Sequence, residues 1–155
     1  GTGDARYHES LGYLASQAGH RLALRLEFSD RLAHRIEAAS DIFLMPSRFE
    51  PCGLNQLYSL KYGTPPVVHA VGGLVDTVTH ASAENLAARS ATGFVFHHYS
   101  VEALEHCLHQ ACEVFRHQPD TWKQIVETGM QQDWSWLRSA REYESVYSQA
   151  ISDRQ

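Results

Sequence analysis

A chain of 155 residues, 43% hydrophobic and 20% charged, has the size and mix of one globular domain around one core. Its 13 basic and 18 acidic residues leave a net charge of −5, and Lys61 and Lys123 are its only lysines; no basic stripe forms, which argues against nucleic acid as a partner. No apolar run approaches the ~18 residues of a membrane span, no basic-then-apolar leader opens the chain, and three cysteines, Cys52, Cys107 and Cys112, make no disulfide framework and fit a reducing cytoplasm.

The chain opens on Gly1-Thr2-Gly3-Asp4 with no initiator Met and is expected to be a piece of something longer. Asp4 is placed to cap a helix running to about Ala18 and closed by Gly19. Leu22, Leu24 and Leu26 alternate with polar residues, which predicts a strand. Ser29-Asp30 can cap a helix with Leu32 and Ile36 on one face. Ile42-Phe43-Leu44-Met45 is an apolar run of the kind buried on both faces of a sheet. After a loop from Pro46 to Gly53, a helix is predicted from about Leu54 to Tyr62, ended by Gly63. Val67-Val68-His69 reads as a strand, Gly72-Gly73 as a turn, and Leu74 as the start of a short helix. Residues 81–92 read as a polar loop and Gly93 to Phe96 as a fourth strand. Ser100 then caps a helix carrying Leu104, Leu108, Ala111 and Phe115. Asp120 caps another, with Trp122, Ile125 and Val126, and a last helix begins near Ser135.

Strands alternating with helices predict an α/β fold, a Rossmann-like parallel sheet with helices on both faces. Such sheets usually have more than four strands, so one or two are expected before Gly1. Ligands in these folds sit beyond the carboxyl ends of the strands, which directs attention to Pro46–Gly53 and Ala70–Gly73.

In the first of these segments, Glu50 is a lone carboxylate between Pro46 and Pro51. It reads either as the cap of the following helix or as an acid facing a cleft. Gly53 permits close backbone approach to a ligand, and the amides of Leu54 and Asn55 open a helix, a setting that favours anions and hydroxyl oxygens. In the second segment a strand ends, Gly72 and Gly73 turn, and a helix begins. Two helix starts on one rim can together cradle a diphosphate without a lysine. His106 and His109, three apart on a helix, read as a solvated face, since no third ligand at metal spacing accompanies them. A glycoside hydrolase would need a second carboxylate beside Glu50. A dinucleotide oxidoreductase would need a full Gly-x-Gly-x-x-Gly turn, of which Gly1-Thr2-Gly3 is only a fragment. A binding module without chemistry remains an alternative.

Several spaced motifs carry a family resemblance. They are Pro46-Ser47-Arg48-Phe49-Glu50-Pro51-Cys52-Gly53-Leu54, the run from Gln56 to Gly63, and Gly72-Gly73-Leu74-Val75-Asp76-Thr77-Val78. Flanking them are Leu32 to Ile36, Thr92-Gly93-Phe94, Asp133-Trp134-Ser135-Trp136 and Ser139 to Tyr143. Together they closely resemble the bacterial glycogen synthases and plant starch synthases, over nearly the whole chain. That resemblance implies the C-terminal half of a GT-B fold, residues 1–155 forming the nucleotide-sugar domain. It implies ADP-glucose as donor and an α-glucan acceptor held by an N-terminal domain outside this sequence. The implied reaction moves glucose to the non-reducing end of an α-1,4-glucan with retention, in the cytoplasm and with no metal or other cofactor.

By the same resemblance Glu50 is the essential acid. The amides of Cys52, Gly53, Leu54 and Asn55 meet sugar hydroxyls and phosphate, with Gly72 and Gly73 beside them, and Phe28 stacks on the base. Tyr58 stands where related transferases place a second glutamate. Arg48 is expected to support loop carbonyls or an acid; His34 and Arg35 read either as a functional pair near the base-binding loop or, the favoured reading, as one packed and one solvated residue of a helix face. Trp134 and Trp136 could form a platform for a sugar; the resemblance instead implies a C-terminal helix that packs back across the domain junction and buries them there. The family's arginine and lysine for the diphosphate would lie upstream of Gly1, so this chain alone is expected to bind nucleotide weakly and to be inactive.

Overall fold

The computed structural model describes residues 3–153; Gly1 and Thr2 of the opening Gly-Thr-Gly-Asp motif lie outside the described residues. The chain divides into two compact units, Gly1–Ile36 and Glu37–Gln155.

In the first unit, α1 (Ala5–Ala18) begins where sequence predicts, because the Asp4 carboxylate accepts a hydrogen bond from the Arg6 amide at 3.0 Å. It ends at Gly19, whose φ of +58° suits a residue without a Cβ. The predicted strand at Leu22, Leu24 and Leu26 does not form. Leu22 has extended torsions, but a strand exists only through ladder hydrogen bonds to a neighbouring strand, and no strand among the described residues pairs with this segment. Helix α2 (Asp30–Ala39) crosses the boundary between the units, with the Ser29 hydroxyl accepting from the Leu32 amide at 3.3 Å. His34 makes a 3.6 Å contact with Asp30 one turn earlier.

The second unit is built on a parallel sheet of three strands in the order β1 (Phe43–Met45), β2 (Pro66–His69), β3 (Phe94–Phe96). The central strand is buried at every position. The continuous apolar run at β1 predicts full burial too, yet Leu44 is 44% exposed. Among the described residues β1 is an edge strand, and one of its faces has no cover.

Helices connect and cover the strands. Helix α3 (Asn55–Tyr62) ends in Gly63 at φ +79°. A short α4 (Gly73–Thr77) follows β2. Residues 81–92 are not wholly loop: α5 (Ala83–Ala87) forms there because the Ser82 hydroxyl accepts from the Asn85 amide. Helix α6 (Val101–His117) starts as predicted, with Ser100 accepting from Ala103. Helix α7 (Pro119–Met130) starts one residue before the predicted cap: Pro119 opens the first turn, where its missing N–H costs nothing, and Asp120 lies inside.

The main core packs Val67, Phe94 and Phe96 of the sheet against Cys107, Ala111 and Val114 of α6 and Ile125 of α7. A smaller cluster on Val68, Leu74 and Val78 supports the turn after β2. The last helix, α8 (Trp136–Ser152), buries none of its residues. Within this chain the two tryptophans are not covered: Trp136 is 87% exposed and Trp134 38%. The apolar stripe they begin has no cover among the described residues, and the Arg138 guanidinium lies over the Trp134 ring, 5.4 Å from its centroid.

Candidate functional site

Because β1 and β2 run parallel with Met45 opposite Val68, the segments leaving their carboxyl ends emerge on one rim. Residues 46–54 and 70–73 do more than share that rim. The Gly73 amide donates to the Pro51 carbonyl at 3.1 Å. A Cβ built on Gly72 would fall on the Glu50 carbonyl oxygen, and one on Gly73 on the Cys52 carbonyl oxygen. Gly72 also holds φ at +50°. No side chain fits between the two segments, so both glycines are required by the approach.

The structure thus brings Glu50, Cys52, Gly53, Gly72 and Gly73 together, with Leu54 and Asn55 opening α3 directly behind. Phe28 belongs to the first unit and is 88% exposed there. Tyr58 is on the second turn of α3, 39% exposed. Arg48 is exposed and, among the described residues, makes no hydrogen bond or ion pair; the loop partner expected for it is not formed.

The Glu50 carboxylate is half-buried and turned back toward its own loop, with the Ser47 hydroxyl 3.4 Å from Oε2. Ser47 is in turn anchored to β2: its carbonyl lies 2.8 Å from His69 Nδ1. A carbonyl only accepts, so Nδ1 carries the hydrogen. The His69 ring is 8% exposed and sits between Phe96 and Tyr99, with centroids 5.3 Å and 5.2 Å away. A chain of contacts therefore leads from the end of the central strand to the acid.

Beneath the loop lies a second connection that the sequence reading missed. Gln56 is fully buried, and its Nε2 is 3.1 Å from the carbonyls of Cys52 and Gly53 and from Thr77 Oγ1. Thr77 Oγ1 donates to the Gly73 carbonyl at 2.6 Å. The signal was present in sequence: Gln56, Ser59 and Leu60 form the inward stripe of α3, and a glutamine on such a stripe calls for a polar partner inside.

A groove of about 500 Å³ runs along this rim. One wall is Pro51 to Leu54 with Gly73; the other is Trp134, Trp136, Arg138 and Glu142. Glu50 is not part of its walls. Across the groove, the Ser135 amide donates to Asp133 at 2.9 Å and is the main reason the Asp133 carboxyl is held below the usual carboxylate range; Arg138 and Lys61 add to it.

A parallel sheet flanked by helices, with two loops meeting at the carboxyl ends of its strands, defines an α/β domain of the Rossmann-like class. Residues 3–120 match the family described as glycosyl transferases group 1, and the chain belongs to that family. It is 52% identical over 152 residues to a glycogen synthase of Rhodopirellula baltica, covering 98% of this chain and 30% of that protein. With a glycogen synthase of Hydrogenovibrio crunogenus it shares 50% identity over 151 residues, 97% of this chain and 30% of the other. The chain therefore spans about 30% of the length of these relatives. Its fold superposes with a TM-score of 0.81 and 31% identity on the catalytic domain of starch synthase IV from Arabidopsis thaliana, solved bound to ADP and acarbose, covering 96% of this chain and 30% of that one. A sucrose-phosphate synthase from Thermosynechococcus elongatus, at 20% identity and a TM-score of 0.66, shares the fold. The three-stranded parallel sheet flanked by helices matches a GT-B glycosyltransferase domain.

Proposed function

We propose that this chain is the nucleotide-sugar-binding part of a glycogen synthase, which moves glucose from ADP-glucose to the non-reducing end of an α-1,4-glucan with retention. The observation that carries the reading is the contact of the Glu50 loop with the Gly72–Gly73 turn. It gathers the amides of Gly53, Leu54 and Asn55, none of which has a hydrogen-bond partner among the described residues. Amides of that kind meet phosphate and hydroxyl oxygens.

In this reading Glu50 rotates from Ser47 toward the donor glucose and stabilises positive charge developing at the anomeric carbon. The leaving diphosphate is met by the amides, and no metal is called upon. Phe28 stacks on the base. The glucan is held by sequence outside this chain, which alone turns over no substrate. All of this takes place in the cytoplasm.

The test is transfer of labelled glucose from ADP-glucose to glycogen by the full gene product, with UDP-glucose as the competing donor. Glu50→Ala should reduce turnover far more than tenfold at nearly unchanged stability. A loss below tenfold removes Glu50 from the chemistry, and glycogen-dependent turnover by residues 1–155 alone overturns the division of labour.

A further inference from the structure

We propose that Gln56 is a positioning residue: from beneath the loop it turns the Gly53 and Leu54 amides outward to receive the sugar nucleotide. The inference rests on the donor-site reading above and extends it to a side chain that touches no ligand.

The geometry follows from the planarity of the peptide. In a trans unit the C=O and the N–H point in opposite directions. The Cys52 carbonyl belongs to the same unit as the Gly53 amide, and the Gly53 carbonyl to the same unit as the Leu54 amide. Both carbonyls lie 3.1 Å from one atom, Gln56 Nε2. The two amides must therefore face away from Gln56.

Gly53 has φ +75° and Leu54 has φ −120°, ψ −31°. A left-handed residue followed by a broadly right-handed one is the arrangement in which successive N–H groups converge on one point and hold an anion or a hydroxyl oxygen. Gly53 and Leu54 line the groove, and among the described residues their amides are unpaired.

The orientation of the Gln56 amide is fixed by its surroundings. Reversed, its oxygen would face two carbonyl oxygens. As it stands, two hydrogens on Nε2 serve three acceptors, and Oε1 is buried with no partner. A fold that tolerates a buried orphan acceptor to hold two carbonyls inward is spending stability on the shape of that loop. The third acceptor, Thr77 Oγ1, passes the restraint to the Gly73 carbonyl, so one side chain sets both the amides and their distance from the glycine turn. Since Gln56 is 0% exposed, it can act only through the loop.

The test compares Gln56→Met, which keeps length and loses the N–H groups, and Thr77→Val, which keeps shape and loses the hydroxyl, in the full gene product. A merely structural role would lower the amount of active enzyme and leave both KM values alone. The positioning role raises KM for ADP-glucose while KM for glycogen stays fixed. We expect kcat/KM for ADP-glucose to fall roughly tenfold or more in Gln56→Met, and by about threefold in Thr77→Val. An unchanged KM for ADP-glucose in folded Gln56→Met overturns the inference. If that variant does not fold, Thr77→Val decides by the same criterion. A wild-type protein with no transfer from ADP-glucose overturns the donor reading and this inference together; an active wild type with unmoved variants overturns only the inference.

Discussion

Gly72 lies so close to Glu50 that a Cβ on Gly72 would take the place of the Glu50 carbonyl oxygen. With its φ at +50°, the residue is doubly constrained, by space and by torsion. The turn after β2 and the acidic loop after β1 are therefore one structural object, and neither can be altered without moving the other.

Gly72→Ala follows directly. The added methyl meets backbone rather than a side chain that could swing away, so the loop itself must shift. We expect a stability loss of about 2 kcal/mol or more from strain and displacement, together with loss of transfer activity in the full gene product. Thermal unfolding and steady-state rates check both. A variant with wild-type turnover would show that the close approach is dispensable.

Acid should weaken the fold through His80. Its Nδ1 accepts the Val95 amide of β3 at 3.0 Å, so the ring is neutral and Nε2 carries the hydrogen. Burial first, and the nearby charge of His97 second, lower its pKa from 6.5. The unfolded chain therefore takes up the proton before the folded one does. Stability is fully present above about pH 6.5 and is lost as pH falls from there through the folded pKa, with no further loss below it. Urea midpoints for the chain should drop as pH falls below about 6.5, and His80→Gln should shrink that drop. An equal drop in the variant would assign it to other groups.

Cys52 and Cys107 should separate by reactivity. Cys52 is exposed beside the candidate site, and Cys107 is buried, its thiol pushed up to about 11 by desolvation. Thiol titration near pH 8 should show a fast phase that Cys52→Ser removes, while Cys107 reacts only after unfolding. In the full gene product, ADP-glucose should slow the fast phase if the loop receives the donor.

Phe94 tests the core. It is fully buried on β3 and lies parallel to Trp122 of α7, with centroids 6.2 Å apart. Phe94→Ala should cost about 3–5 kcal/mol, read from denaturant unfolding. A cost near 1 kcal/mol would mean that α7 collapses into the gap.

Much of this fold is legible in the residues themselves. The strands at Val67–His69 and Phe94–Phe96, the Ser100 cap and the Gly63 stop all follow from local chemistry that the tertiary structure does not contest. The failures share one physical cause, which is that the deciding contact lies elsewhere in space. Leu22 to Leu26 alternate correctly and are extended at Leu22, but among the described residues no strand lies alongside them to make a sheet. Leu44 reads as core and sits on an uncovered edge. Trp134 and Trp136 read as buried at a domain junction, and within the described residues nothing covers the apolar side of α8. Helix α5 was hidden because a five-residue helix shows too little periodicity, though Ser82 and Asn85 were there to start it. At the candidate site the loop and the glycine turn were recognisable, because glycines and prolines leave marks in sequence. Gln56 was not, because its importance comes from two carbonyls and a hydroxyl that only folding brings to it.

The wholly buried strand β2 carries one more consequence. Val67 and Val68 are 0% exposed and hydrogen-bonded to strands on either side, so their amides should be among the last to exchange with solvent deuterium. His69 and the glycine turn leave directly from that strand. The glycine turn is thus moored to the most slowly opening segment of the chain, and local breathing along α8 can run its course without displacing the backbone against which the Glu50 loop is held.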